Sequence, residues 1–141
     1  ALKANGTVEC WGNNSQGQLG DGTNTDANTP VAVLGLTGVV ALATGSDHAC
    51  ALKADGSLAC WGDNISGQLG DTTTVDKNSP AAVVGLSGAV AVNAGTNYTC
   101  ALKSDGSASC WGSNSSGRLG DGTTTDASSP VAVSGGAVYW K

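Results

Sequence analysis

The chain contains no Phe and no Met, a single His, and only 12% charged residues. One His cannot complete a repeated zinc site, and no Cys-x-x-Cys spacing supplies thiolate pairs for one. The six Lys and Arg are scattered and outnumbered by eleven Asp and Glu, for a formal charge of −5. Phosphate-backbone binding leans on clustered cations, so no nucleic-acid partner is expected. No apolar run approaches the roughly 18 residues that span a bilayer, so no transmembrane segment is expected. There is also no charged-then-apolar leader at the start. Long helices lack support, because 22 Gly and loops rich in Ser, Thr and Asn describe many turns and short strands.

What is present is repetition. Cys10-Trp11-Gly12, Cys60-Trp61-Gly62 and Cys110-Trp111-Gly112 fall in one register, a period of 50 without insertions. Such a period marks stacked units that bury a common core only together. We divide the chain into an incomplete unit at 1–38, a complete unit at 39–88, and a nearly complete unit at 89–141 whose end diverges at Ser134-Gly135-Gly136. Both ends cut the unit, so the chain is expected to be part of a larger array.

Within the middle unit, Val39-Val40-Ala41-Leu42-Ala43-Thr44 alternates larger and small apolar residues with the period of a strand. His48 to Lys53 and Ser57 to Gly62 follow as a hairpin around Ala54-Asp55-Gly56, with the Gly supplying positive φ. A polar stretch runs from Asp63 to Ser79, and Pro80 opens an outer strand over Ala81 to Val84. Four short strands per unit describe an all-β fold, a propeller fragment of about three four-stranded blades. A parallel β-solenoid is the rival reading; its rungs are usually shorter and lack the hairpin.

The hairpin fixes the cysteine pairing. Counting outward from a three-residue turn places Leu52 opposite Leu58, Ala51 opposite Ala59, and Cys50 opposite Cys60; the same count joins Cys100 to Cys110. Cys10 is left unpaired, because its partner position precedes Ala1. Small buried thiols or metal ligands are the competing readings, and neither accounts for the matched register. Two disulfides imply an oxidising compartment, extracellular or at the cell surface.

The combination of Gly45-x-x-His48, Ala51-Leu52-Lys53-x-Asp55-Gly56, Cys60-Trp61-Gly62-x-Asn64 and Gly67-Gln68-Leu69-Gly70 resembles the repeat of the regulator of chromosome condensation family. The resemblance covers essentially the whole chain and implies a β-propeller, seven-bladed in the best-known members. The added Cys pair is similar to the form found in secreted bacterial and other surface proteins. The family includes exchange factors for a small nuclear GTPase, binders of chromatin, membranes or ubiquitin-pathway partners, and a secreted bacterial inhibitor of β-lactamase. The resemblance places no catalytic residue on this sequence.

Trp11, Trp61 and Trp111 are expected to pack between blades, with a sugar-stacking surface as the alternative. Gly12, Gly62 and Gly112 mark close backbone approach at a strand end. Asp21, Asp71 and Asp121, with Asp26, Asp76 and Asp126, give two carboxylates per unit; their spacing matches no known calcium loop, and turn capping is the preferred reading. No metal or cofactor is assigned. Without a second His or an isolated nucleophile, no catalytic triad can be nominated, so an enzyme is not expected.

Recognition is expected where the copies differ: Asp63, Ile65, Arg118, His48 and Tyr98. The first functional expectation is a non-catalytic scaffold that holds a protein or glycan through its loop face. The alternatives are an intracellular propeller of exchange-factor type and a secreted enzyme inhibitor. Self-association to complete a ring of blades is a further expectation.

Overall fold

The structure is a computed structural model that describes residues 1–135. These form ten strands and no helix: β1 (Glu9–Gly12), β2 (Ala27–Ala32), β3 (Val39–Thr44), β4 (His48–Lys53), β5 (Leu58–Gly62), β6 (Lys77–Ala82), β7 (Ala89–Ala94), β8 (Tyr98–Lys103), β9 (Ala108–Gly112) and β10 (Ala127–Ala132). β3 to β6 make one antiparallel sheet in chain order, and β7 to β10 make its copy. β1 and β2 pair as the third and fourth strands of a first unit, extended by a bridge between Leu2 and Val8. Among the described residues no helix is long and apolar enough to cross a membrane.

The hairpin forms in the register counted from its turn. Cys50 faces Cys60, Ala51 faces Ala59 and Leu52 faces Leu58. Lys53 N–H donates to Ser57 O at 2.9 Å, Gly56 takes φ +82°, and Asp55 Oδ1 accepts the Ser57 N–H at 2.9 Å. The short Asp side chain thus closes the turn that the Gly permits. Disulfides join Cys50 to Cys60 and Cys100 to Cys110, each with Cα atoms 4.1 Å apart.

The outer strand departs from expectation. β6 begins at Lys77, three residues before Pro80, and ends at Ala82. Gly62 pairs with Lys77 and Cys60 with Ala81, so Asn78, Ser79 and Pro80 bulge out opposite Trp61. A bulged edge strand needs no ladder donor at the Pro nitrogen, which is why the strand runs through it. Of the divergent end read at Ser134-Gly135-Gly136, Gly136 onward lies outside the described residues.

The core lies between sheets. One cluster joins Cys50, Leu52, Leu58, Cys60, Leu69 and Val83 of the second unit to Ala89, Ala101 and Trp111 of the third. The other joins Val8, Val33 and Leu36 of the first unit to Val39, Ala49, Ala51, Ala59 and Trp61 of the second. Each unit therefore completes its neighbour's apolar interior, as in propeller blades packed around an axis.

Candidate functional site

The turn between β3 and β4 and the long loop after β5 share one end of the sheet, opposite the hairpin turn. Asp63 N–H donates to Asp47 O at 2.8 Å, and Ser113 N–H repeats the bond to Asn97 O. The Gly before each makes room. A Cβ on Gly62 would lie 2.3 Å from Asp47 O, one on Gly112 2.5 Å from Asn97 O, and one on Gly12 would meet nothing within 4 Å.

The loop is built on a residue to which the sequence reading gave no role. Asn64 is fully buried, and its Nδ2 donates to Thr73 O at 3.0 Å, Val75 O at 3.1 Å and Asp71 Oδ1 at 3.1 Å. Its Oδ1 accepts Leu69 N–H at 3.0 Å, and its own N–H donates to Asp76 Oδ1 at 2.8 Å. Asn14 and Asn114 repeat this pattern with Asp21, Asp26, Asp121 and Asp126. The carboxylates of each loop thus hold a buried amide and the loop backbone. The signal in the sequence was a fixed spacing, each Asn followed 7 and 12 residues later by Asp.

Burial pulls the Asp71 carboxyl upward, but bonds from Thr73 and Asn64 and the Lys77 ammonium 3.5 Å away hold it below its ordinary value. The sequon Asn64-Ile65-Ser66 has its acceptor nitrogen sealed inside this network.

The expected recognition positions separate into exposed and buried sets. Ile65 is 72% exposed at the loop tip beside the sealed Asn64. Arg118 is exposed, its guanidinium 5.7 Å from the Tyr98 ring centre and 3.3 Å from Ser115 Oγ. The structure thus brings Arg118 and Tyr98 together. Asp63 is half-buried, with Oδ2 accepting Gln68 Nε2 at 2.6 Å, and burial first, then the charges of Asp76 and Asp47, push its carboxyl up.

His48 does not serve as a surface position: it is only 2% exposed, tucked against Gly45 and the third unit. Thr99 Oγ1 gives its hydrogen to Gln68 O at 2.9 Å, so it accepts from His48 Nε2 at 3.0 Å. That leaves His48 Nδ1 without a partner among the described residues, and burial pulls its pKa down to about 4 against the opposing charge of Asp47.

The Trp residues also divide. Trp61 and Trp111 are fully buried against the preceding unit's loop, where Trp61 Nε1 donates to Gln18 O at 3.0 Å. Trp111 Nε1 has no partner among the described residues. Trp11, expected to be packed, is 54% exposed. Beside it, a cleft of about 270 Å³ lined by Cys10, Trp11, Gln18, Gly45 and His48 follows the edge of β1 where a second strand runs in the other sheets. Cys10 is a free thiol, its pKa pushed up by burial.

Comparison with known proteins accords with this geometry. Of the solved structures, Prp20p from Saccharomyces cerevisiae superposes with a TM-score of 0.84 at 22% identity, over 96% of this chain and 36% of its own. Human WBSCR16 superposes with a TM-score of 0.79 at 26% identity, over 93% of this chain and 34% of its own. The chain therefore spans about a third of the length of these relatives. No curated protein matches it. Two models of the regulator of chromosome condensation (RCC1) repeat match, one at residues 5–52 and 55–102 and the other at 39–68 and 89–118. With most of its length matched in tandem, the chain belongs to the RCC1 repeat family.

Proposed function

We propose that this chain is a non-catalytic binding module that recognises a protein partner through the loop end of its blades. The supporting observation is the division of labour within each loop. Asn14, Asn64 and Asn114 make the same buried bonds, while the exposed position beside them changes from Ser15 to Ile65 to Ser115, and the position of half-buried Gln18 and buried Gln68 becomes an exposed Arg118. A common frame with changing tips presents different chemistry at each blade, and interface anchors are enriched in Arg and in exposed apolar side chains.

The module is extracellular or at the cell surface. Two disulfides within short hairpins favour an oxidising compartment. The second reading rests on Prp20p, whose structure was described with its binding to Gsp1p and histones. A role of that kind here belongs to a reducing compartment with all five thiols free, and alkylation of freshly isolated protein separates the two.

The test of the loop end is direct. With a protein partner recovered on the immobilised chain, Ile65→Asp and Arg118→Glu each weaken binding about tenfold or more while the melting temperature stays unchanged. Binding that both variants retain in full refutes the reading, and capture of a glycan instead of a protein corrects the partner class.

A further inference from the structure

We propose that Ile65 and Val75 of the middle unit form an apolar anchor point with an acidic rim, and that it takes an apolar side chain flanked by Lys or Arg on a protein partner. The inference rests on the loop-end reading and deepens it by naming the chemistry of the partner.

Four positions of the long loop agree in the first and third units and differ in the second. Ser15 and Ser115 give way to Ile65, Gly22 and Gly122 to Thr72, Thr25 and Thr125 to Val75, and Ala27 and Ala127 to Lys77. Two of these changes replace a hydroxyl by an aliphatic group in the same loop. Ile65 and Val75 are 72% and 63% exposed, more than any other large apolar side chain among the described residues. This exposure does not come from a flank of the array. The middle unit packs against a unit on each side, and the Ser and Thr at the matching positions are exposed in the other units too.

One buried side chain holds the two positions together. Val75 O accepts from Asn64 Nδ2 at 3.1 Å, and Asn64 N–H donates to Asp76 Oδ1 at 2.8 Å, so the backbone at Val75-Asp76 lies alongside that at Asn64-Ile65. Thr73 Oγ1 accepts the Val75 N–H and Asp63 Oδ1 the Ile65 N–H, each at 3.3 Å. Apolar side chains on backbone fixed in this way lose little freedom when a partner covers them. A single exposed aliphatic residue is ordinary, but two on adjoining backbone that occur in one copy of three mark a contact surface. They are aliphatic where a sugar would stack on an aromatic ring, so an apolar protein side chain is the better match.

The surrounding charge sets the rest of the partner. The loop from Asp63 to Lys77 carries three Asp and one Lys, and the Lys77 ammonium lies 3.5 Å from Asp71. Asp63 and Asp76 have no cation paired with them among the described residues, and they flank the apolar pair in sequence. After burial, the charges of Asp76 and of exposed Asp47 push the Asp63 carboxyl up, so three carboxylates repel one another at this end of the unit. A Lys or Arg beside the entering apolar side chain relieves that repulsion, whereas an acidic partner adds to it.

Fluorescence anisotropy of the full chain with labelled synthetic peptides tests this, one alternating Lys and Leu, one Lys and Ser, and one Glu and Leu. The Lys-Leu peptide binds about tenfold or more tightly than either of the others. Ile65→Ser combined with Val75→Thr introduces the residues that the other two units carry, so the melting temperature stays at the parent's value. Affinity for the Lys-Leu peptide falls about tenfold or more in that variant, the effect of losing one covered aliphatic side chain. Asp63→Asn, the residue of the first unit, weakens the same binding and flattens its dependence on salt. A parent that ignores the Lys-Leu peptide overturns the proposal, and so does equal binding of the Lys-Ser peptide or full binding by the doubly substituted chain. The loop-end reading survives any of these results if Arg118→Glu still releases a protein partner, which separates the two failures.

Discussion

Trp61 and Trp11 occupy the same position of the repeat and differ in burial. Trp61 is sealed against Gly20 and the Gln18 carbonyl, whereas Trp11 stands open. Trp61→Ala is expected to cost about 3–5 kcal/mol, the range for emptying a buried aromatic site, and Trp11→Ala less than about 0.5 kcal/mol. Urea unfolding of the two variants measures both. His48 gives a second residue-scale prediction. Its folded pKa, about 4, lies below the ordinary imidazole value, so the neutral form favours folding. That stability is fully present above about pH 6.5 and is lost as pH falls toward 4. Thermal midpoints across this window should decline in the parent and flatten in His48→Gln. Burial of His48 was not legible in the sequence, because it depends on Thr99 and Gln68, one of them 51 residues distant.

The hairpins and long loops carry the local stability of each unit. The hairpin register was readable because a three-residue turn with Asp and Gly is self-contained chemistry, and the cysteines follow from it. The position of Pro80 was not, since the bulge opposite Trp61 is decided by pairing with β5 rather than by its own neighbours. The buried Asn was visible as a spacing but not as a function, because a polar residue inside a loop carries no hydrophobic pattern. Two expected outcomes belong to this scale. Removing the Cys50–Cys60 bridge by Cys60→Ser should lower unfolding stability by about 2–3 kcal/mol, the chain-entropy effect of so short a closed loop. Asn64→Ala should cost about 3 kcal/mol, by leaving the Leu69 N–H and the loop carbonyls unpaired in a buried place. Denaturant titrations under non-reducing conditions check both, and amide exchange at 65 to 75 should quicken in the Asn64 variant alone.

The molecule as a whole is an array in which contacts shared by every unit build the frame and some of the positions that differ, Ile65 and Arg118 among them, face solvent at one end. The 50-residue period made the frame readable before any coordinates, because recurrence of Cys-Trp-Gly and of the Gly-rich loop fixes what must be structural. It did not show which differing positions are accessible, since exposure depends on the neighbouring unit: Ile65 and Arg118 face out, while His48 faces in. The most direct test of this division is amide hydrogen exchange along the chain with and without a bound partner. The account predicts added protection at residues 63–68 and 113–118, with the hairpin turns at 54–56 and 104–106 unchanged. Protection confined to those hairpin turns, with the loop tips exchanging as in the free chain, would contradict it.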